Sequence, residues 1–388
     1  MSAVYLDHAA TTPVRPEVVE AMEPFATANF GNPSSLHRWG QAAAAALEDA
    51  RAEIATALGA KASEVHFVRG GTESDNLAIL GSCRALARPG VVPTVALSAI
   101  EHSAVLEAGR HLEKGGEARL VVLPVSLEGQ ILSGPLESAL SASPSLVSVM
   151  WVNNETGMVL PVSEVTTAAA AHGATVHSDA SQAIGKVPVH LGKVPVHLLT
   201  ATGHKISGPK GMGILFVRRG TKIRPLIHGG GQERGMRPGT QDVAGAVGLA
   251  TAIRLAVSEQ EEEAARLGGL RDVFEHGLLR ELPDVRINAS PAPRAPHVSS
   301  IGVPGLSDGD ALLMALDLGG VAVSGGSACM SGAGHGSHVI AALYGDDDPM
   351  ANVRFSFGHT TRESDIDLAI AVTAGVVRRL RGEGMYRA

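Results

Sequence analysis

Arg69-Gly70-Gly71-Thr72-Glu73-Ser74-Asp75-Asn76 follows an apolar run and opens a helix-like stretch. Backbone N–H groups at such a helix start, joined by the Thr72 hydroxyl, converge on an anion such as a phosphate. The same residues also read as a Gly-rich turn with Thr72 as N-cap and Asp75 at N3, and the spacing is not that of a Walker loop. His177-Ser178-Asp179-Ala180-Ser181-Gln182 closes another apolar run with a carboxylate. At the edge where open α/β sheets place their ligands, such an Asp holds a heterocyclic N–H in its protonated state; it also serves as an ordinary N-cap. Thr200 to Gly211, TATGHKISGPKG, sets Lys205 among hydroxyls and glycines after a further apolar run. A lysine placed there can form a Schiff base with an aldehyde, although solvated surface is the usual fate of the residue type. Taken jointly, a phosphate cradle, a strand-end Asp and a strand-end Lys match the three corners of pyridoxal phosphate.

The elements that must position these groups read as α/β. Apolar runs at Val65–Val68, Val91–Leu97, Leu120–Leu123, Leu146–Val152 and Ala174–His177 alternate with helix-like stretches such as Gln41–Leu58, Thr72–Leu86 and Val162–His172. That alternation predicts a parallel sheet with helices on both faces. Strands are also expected at Val196–Thr200 and Gly213–Val217, then one long charged helix from about Gln241 to Leu282 that connects two domains. Beyond it, strands at Val285–Asn288, Val298–Val303, Val321–Val323 and Val353–Phe357, with helices near Asp308–Leu318, Ser337–Leu343 and Ser364–Leu380, predict a smaller α+β domain. The prolines of Asn288–His297 make that stretch the most loop-like. GKVPVHL occurs at Gly185–Leu191 and again at Gly192–Leu198, too short a repeat for a solenoid.

Composition narrows the function class. A chain of 388 residues, 45% hydrophobic, is long enough for two domains. With aromatic content of 3%, small residues and Val, Leu and Ile must build its core. A balance of 32 Lys+Arg against 39 Asp+Glu, net charge −7, argues against direct nucleic-acid binding. The two cysteines, Cys83 and Cys329, lack metal-ligand spacing, and the pair His335 and His338 has no obvious further ligand, so no metal site is expected. No basic-then-apolar leader or long apolar span is seen, which predicts a cytoplasmic location without membrane contact. Cys83 sits in an apolar helix and reads as a buried small hydrophobe. Cys329 lies in Ser324–Gly336, thirteen residues with five Gly and three Ser, a composition expected to expose the thiol on a mobile loop.

Longer stretches extend these signals along the chain: YLDHAATTP (Tyr5–Pro13), FGNPSSLH (Phe30–His37), GGTESDNLAI (Gly70–Ile79), EHSAVLE (Glu101–Glu107) and VNNETG (Val152–Gly157). SDASQAIGK (Ser178–Lys186), GHKISGPKGMG (Gly203–Gly213), GGGQERGMRPGT (Gly229–Thr240), SGGSACMSG (Ser324–Gly332) and RFSFG (Arg354–Gly358) continue in order. On these motifs the chain closely resembles the cysteine desulfurase family, fold-type I, class V aminotransferase-like pyridoxal phosphate enzymes, in the branch with a long cysteine loop. The resemblance implies a large, mostly parallel α/β/α cofactor domain over residues 15–258. It places a smaller α+β domain carrying the cysteine loop at 259–388, with residues 1–14 packing against that domain. By the same resemblance Lys205 carries the cofactor as a Schiff base, Asp179 pairs with the pyridine nitrogen, His102 stacks on the ring, and Gln182 and Asn154 address its phenolic oxygen. Gly71, Thr72, Thr202 and His204 hold the phosphate, with Thr240 arriving from the other subunit of a homodimer. Arg354 grips the substrate carboxylate with Asn32 nearby. Two departures are visible: the family's usual VDAAQ reads SDASQ here, and His359 stands where Arg is common, which leaves the outer pocket's shape open.

The activity implied is conversion of L-cysteine to L-alanine, with Cys329 taking the sulfur as a persulfide for delivery to acceptor proteins in iron–sulfur cluster assembly or thiolation. Alternatives are another class V enzyme, such as a selenocysteine lyase or a small-amino-acid aminotransferase, or a cofactor-bearing docking platform for sulfur acceptors. The identity of the acceptor is not legible in the sequence.

Overall fold

A computed structural model describes residues 3–142, 145–325 and 336–382. The chain opens with β1 (Val4–Tyr5), α1 (Pro16–Ala26), α2 (Arg38–Leu58) and β2 (Val65–Val68). A continuous helical stretch follows, made of α3 (Gly71–Asn76), a π-helical turn (Leu77–Gly81) and α4 (Ser82–Leu86). Then come β3 (Thr94–Ser98), α5 (Ser103–Lys114), β4 (Arg119–Leu123), α6 (Ser133–Ser141), β5 (Ser145–Ser148), α7 (Val162–Ala170), β6 (Thr175–Asp179), β7 (Leu198–Thr202) and β8 (Gly213–Val217). Helices α8 (Val243–Ser258) and α9 (Gln260–Glu281) lead to β9 (Arg286–Ile287), β10 (Val298–Val303), α10 (Gly309–Leu318), β11 (Val321–Ala322), α11 (His338–Tyr344), β12 (Ala351–Ser356) and α12 (Glu363–Leu380).

Seven strands form one sheet in the order β2-β8-β7-β6-β5-β3-β4. β8 runs antiparallel to β2 and β7, and the other pairings are parallel. Every residue of β3, β7 and β8 is buried, which requires cover on both faces. Val18, Leu47, Ile54, Val165 and Leu249 of α1, α2, α7 and α8 belong to one core, and Leu77, Ile79, Val105 and Leu112 of α3 to α5 to another. Helices α1 and α8 approach closely because Gly248 has no side chain: a Cβ there would stand 2.5 Å from Met22 Sδ.

Strand order reverses between β3 and β5. From β3 the chain crosses through α5 to β4 on one side, and from β5 through α7 to β6 on the other. The crevice outside the carboxyl ends of such a pair is where open α/β sheets bind ligands. Glu101-His102 follows β3 and Asn153-Asn154 follows β5, so the reversal brings these two segments to one edge.

A third core forms around the antiparallel sheet β12-β10-β9, with Leu267, Phe274, Leu312, Ile366 and Val377 from α9, α10 and α12. Phe274 and Phe355 stack at 4.5 Å between centroids. Val4 and Leu6 from the start of the chain belong to this core as well, and β1 pairs with β11.

The single long helix expected over Gln241–Leu282 is instead two helices that part at Glu259. The cause is tertiary: α8 packs on α1 and α2, α9 packs on α12, and two cores impose two axes. β3 starts at Thr94, after Pro93, with Val91 and Val92 exposed; proline has no N–H to give a ladder. β5 ends at Ser148, since the chain then leaves the sheet, although Val149 and Trp151 still donate to the carbonyls of His177 and Asp179.

Candidate active site

Gly70 has φ +96°, a conformation open to glycine, and it caps α3 without a side-chain partner for the helix N–H groups. Thr72 is therefore inside the first turn and exposed, not the N-cap. A Cβ on Gly71 would lie 3.5 Å from Ser181 Oγ and 3.8 Å from Thr202 Cβ, so the missing side chain leaves a small hydroxyl-lined cradle. The chain enters it from Arg69, whose N–H bonds Glu73 Oε2 at 3.0 Å.

His204 borders the same region. Its Nδ1 is 3.3 Å from Thr11 Oγ1, and its carbonyl accepts from the N–H and hydroxyl of Thr12 at 2.9 and 2.8 Å. Burial, reinforced by Lys205 and Lys210, holds its pKa down at about 4, so it is neutral at neutral pH and presents an N–H.

Lys205 is half-buried, and its Nζ donates to the Ala9 and Ala10 carbonyls at 2.6 and 2.8 Å. The alternative of a solvated surface lysine is thus set aside. Gln182, 6% exposed, donates through Nε2 to the same Ala9 carbonyl at 2.8 Å, while its Oε1 lies 3.1 Å from His297 Nε2. Since an amide oxygen only accepts, His297 supplies the proton and fixes which way the Gln182 amide points. Asp179 ends β6, also 6% exposed, and its Oδ1 accepts from the Ser181 N–H at 2.9 Å.

His102 caps α5, its Nδ1 accepting from the Ala104 N–H at 3.1 Å. Burial lowers its pKa, Asp179 opposes the shift, and Lys205 and His338 add to it, which places His102 in the field of both Asp179 and Lys205. Arg354 lies in β12 with its side chain 2% exposed. It pairs with Asp7 at 2.7 Å and donates to the Asn154 carbonyl at 2.8 Å, so Asn154 meets it through backbone.

The structure thus gathers Gly71, His102, Asn154, Asp179, Gln182, Thr202, Lys205, His204 and Arg354 at one edge. Asn32 and Thr240 are both exposed. Asn32 Oδ1 accepts from Ser34 N–H at 2.9 Å, within its own turn. Thr240 belongs to a loop tied down by Glu233, whose carboxylate makes a two-point pair with buried Arg51 at 2.7 and 2.9 Å. Cys329 and His335 lie outside the described residues. Cys83 is buried, and burial first, then Glu117, pushes its thiol up to about 11.

Asp7, the Ala9 and Ala10 carbonyls and His297 were not singled out from sequence. Tyr5–Pro13 marked the first three as a motif without a role, and nothing in a proline-rich loop marked His297. Among the described residues no cluster of His, Cys, Asp and Glu suited to a metal is present, and no helix is long and apolar enough to cross a membrane.

A hydroxyl-lined cradle at an uncapped helix start, a half-buried lysine held by two carbonyls and a buried strand-end carboxylate fit pyridoxal phosphate. The fold and the site define a fold-type I enzyme of that cofactor. The model of the aminotransferase class-V family matches residues 4–368, and the chain belongs to that family. It is 42% identical to the cysteine desulfurase IscS of Dictyoglomus turgidum, over 99% of this chain and 97% of that protein. It is 44% identical to the IscS-like cysteine desulfurase of Mycobacterium tuberculosis, over 97% of each. Among solved structures, a NifS-like protein superposes with a TM-score of 0.89 at 34% identity, covering 97% of this chain and all of that one (100%). A structure described as SspA in complex with cysteine gives a TM-score of 0.76 at 30% identity, covering 91% and 98%.

Proposed function

We propose that this chain is a pyridoxal phosphate-dependent cysteine desulfurase, releasing L-alanine from L-cysteine and passing the sulfur through Cys329 to acceptor proteins. The observation that carries this reading is the half-buried Lys205 amine, held in the same pocket edge as Asp179, Gln182 and His102, in a chain whose full-length relatives are cysteine desulfurases.

Gly71 N–H, Thr72, Thr202 and neutral His204 would hold the phosphate, completed by the partner subunit's Thr240 in a homodimer. His102 would cover the ring, Gln182 and Asn154 would address the phenolic oxygen, and Asp179 would hold a proton on the pyridine nitrogen. Bound there, the cofactor supplies the electron sink that makes a substrate Cα–H acidic. The Lys205 Nζ would remove that proton and keep it within reach of the carbon skeleton. Arg354 takes the substrate carboxylate, which shares or displaces Asp7 on the guanidinium, with Asn32 nearby.

Cys329 attacks the substrate sulfur as a thiolate. An S–S bond forms as the C–S bond breaks, the electron pair stays on the substrate carbon, and protonation there gives alanine. The persulfide then waits for an acceptor thiol. Residues 15–258 form the cofactor domain, residues 259–388 the domain that presents Cys329, and residues 1–14 bridge them by packing on the second. Iron–sulfur cluster assembly or thiolation in the cytoplasm is the setting, with no membrane or nucleic acid as direct partner.

Two assays on Cys329→Ala test the reading: exchange of the cysteine Cα proton for deuterium, and alanine release. Exchange should persist and alanine should not form. Alanine release near the wild-type rate would remove Cys329 from the mechanism and favour a lyase in which the thiol is dispensable.

A further inference from the structure

Behind Asp179 lies a set of buried polar groups that the reaction does not use. Glu101, after β3, is fully buried, and its Oε1 accepts from Met150 N–H at 2.6 Å and from Ser98 Oγ at 2.7 Å. Its Oε2 is 3.5 Å from Ser148 Oγ, which is 2.9 Å from His177 Nδ1. Across the ring, His177 Nε2 is 3.1 Å from Thr200 Oγ1, Thr200 Oγ1 is 2.9 Å from Ser74 Oγ, and Ser74 Oγ is 2.9 Å from the Ile214 carbonyl. All of these side chains are buried. His177 precedes Asp179 by two residues on β6 and shares its face of the strand.

Hydroxyls and a neutral imidazole each donate and accept, so this chain can run in two directions, the first of which keeps the Ser74 bond to the Ile214 carbonyl. With a neutral Glu101, its O–H donates to Ser148, Ser148 donates to His177 Nδ1, and the ring proton sits on Nε2 facing Thr200. With an ionised Glu101, which only accepts, Ser148 turns towards it and takes the Nδ1–H of His177. Nε2 then accepts from Thr200, and Thr200 from Ser74, whose single hydroxyl hydrogen turns away from the Ile214 carbonyl. Any mixed arrangement leaves a buried group facing its own kind.

We propose that Glu101, acting through Ser148, decides which nitrogen of His177 carries the proton beneath Asp179, making Glu101 and His177 positioning residues for the cofactor's carboxylate partner. The proposal rests on the reading of Asp179 given above.

The titratable surroundings are consistent with such a switch. Burial, then Asp179, raises Glu101 to about 8 against the hydrogen bonds from Ser98, Met150 and Ser148. Burial holds His177 at about 4, so its ring is neutral in either direction of the chain. From α3, fully buried Asp75 faces the same space, its carboxyl raised well above the usual range by burial and by Asp179, and its Oδ1 is 3.7 Å from His177 Nε2. His102 heads α5, His338 of α11 lies with Nε2 2.9 Å from the Glu101 carbonyl oxygen, and Lys205 adds its field at His102.

The test uses the full chain loaded with pyridoxal phosphate and labelled with nitrogen-15 histidine, the His177 resonances being assigned with H177Q. Long-range proton–nitrogen spectra should show the Nε2–H form at neutral pH, passing to Nδ1–H with a midpoint at about 8. In E101Q the amide donates to Ser148 at every pH, so the Nε2–H form should persist throughout. A switch at the same midpoint in E101Q, or a single tautomer across the range in the wild type, overturns the relay. The wild-type titration decides alone if E101Q does not fold. Visible absorbance of the same samples separates the two readings: failure to load cofactor overturns the site assignment, while the His177 tautomers still decide the relay.

Discussion

The floor of the site and its rim are built differently. On the floor, Asp179, Gln182 and Arg354 are buried, and the last two are held by partners from distant parts of the chain: Gln182 by Ala9 and His297, Arg354 by Asp7 and Asn154. The groups proposed for the rim, Thr72, Asn32 and Thr240, are exposed. Groups that hold protons or orient the reacting carbon require a dry, fixed environment, where electrostatic interactions are strongest. Groups that hold a phosphate or admit a substrate can remain at the surface, since hydroxyls and backbone N–H groups there carry no desolvation penalty when empty. The contrast predicts that substitutions on the floor alter the chemistry and that substitutions at the rim alter retention of the cofactor.

Lys205→Ala strikes the floor hardest. Loss of the general base and covalent anchor proposed for Lys205 should lower alanine formation by at least about 10³-fold and abolish Cα deuterium exchange. Borohydride reduction followed by peptide mapping should place the cofactor on Lys205 in the wild type; a label on Lys210 instead would transfer the role to that residue.

Arg354→Lys should have a smaller effect on the same floor. A planar, two-pronged guanidinium is replaced by a point charge, so KM for cysteine should rise by more than about tenfold, a loss of more than about 1.4 kcal/mol, with the visible spectrum unchanged. Steady-state kinetics with unchanged KM would assign the carboxylate to another group.

Thr240→Val tests the rim and should have the least effect. Loss of one exposed hydroxyl donor is worth about 1 kcal/mol, so the dissociation constant for pyridoxal phosphate should weaken roughly fivefold, with kcat of the saturated enzyme preserved. Equilibrium dialysis measures the first and initial rates the second; a large fall in kcat would move Thr240 from the rim to the floor. Sedimentation of the same variant should still give a dimer.

Much of this architecture was legible in the linear chain. The strands Val65–Val68, Val298–Val303 and Gly213–Val217 coincide with the apolar runs that announced them, because a strand buried on both faces has few other sequences open to it. Asp179 and Lys205 were visible because each ends an apolar run with a polar group, a pattern read within a few residues. The break at Glu259 was not legible: helical periodicity continues through it, and the turn exists because α8 and α9 face separate cores. The alternative reading of Thr72 as an N-cap failed for a related reason, since Gly70 adopts a positive φ that a local capping pattern does not reveal.

What the sequence by itself determined, therefore, is the set of residue types at the strand ends and the layered fold that brings strand ends to one edge. What only the tertiary structure decided is how those residues are held. Ala9 and Ala10 present carbonyls to Lys205 across nearly two hundred residues (|i−j| 196 and 195), His297 orients Gln182 from within a loop, and Asp7 pairs with Arg354 from the opposite end of the chain. Periodicity and turn chemistry report a residue's neighbours along the chain, whereas a buried polar group takes its partner from whatever the packed fold places within hydrogen-bond distance.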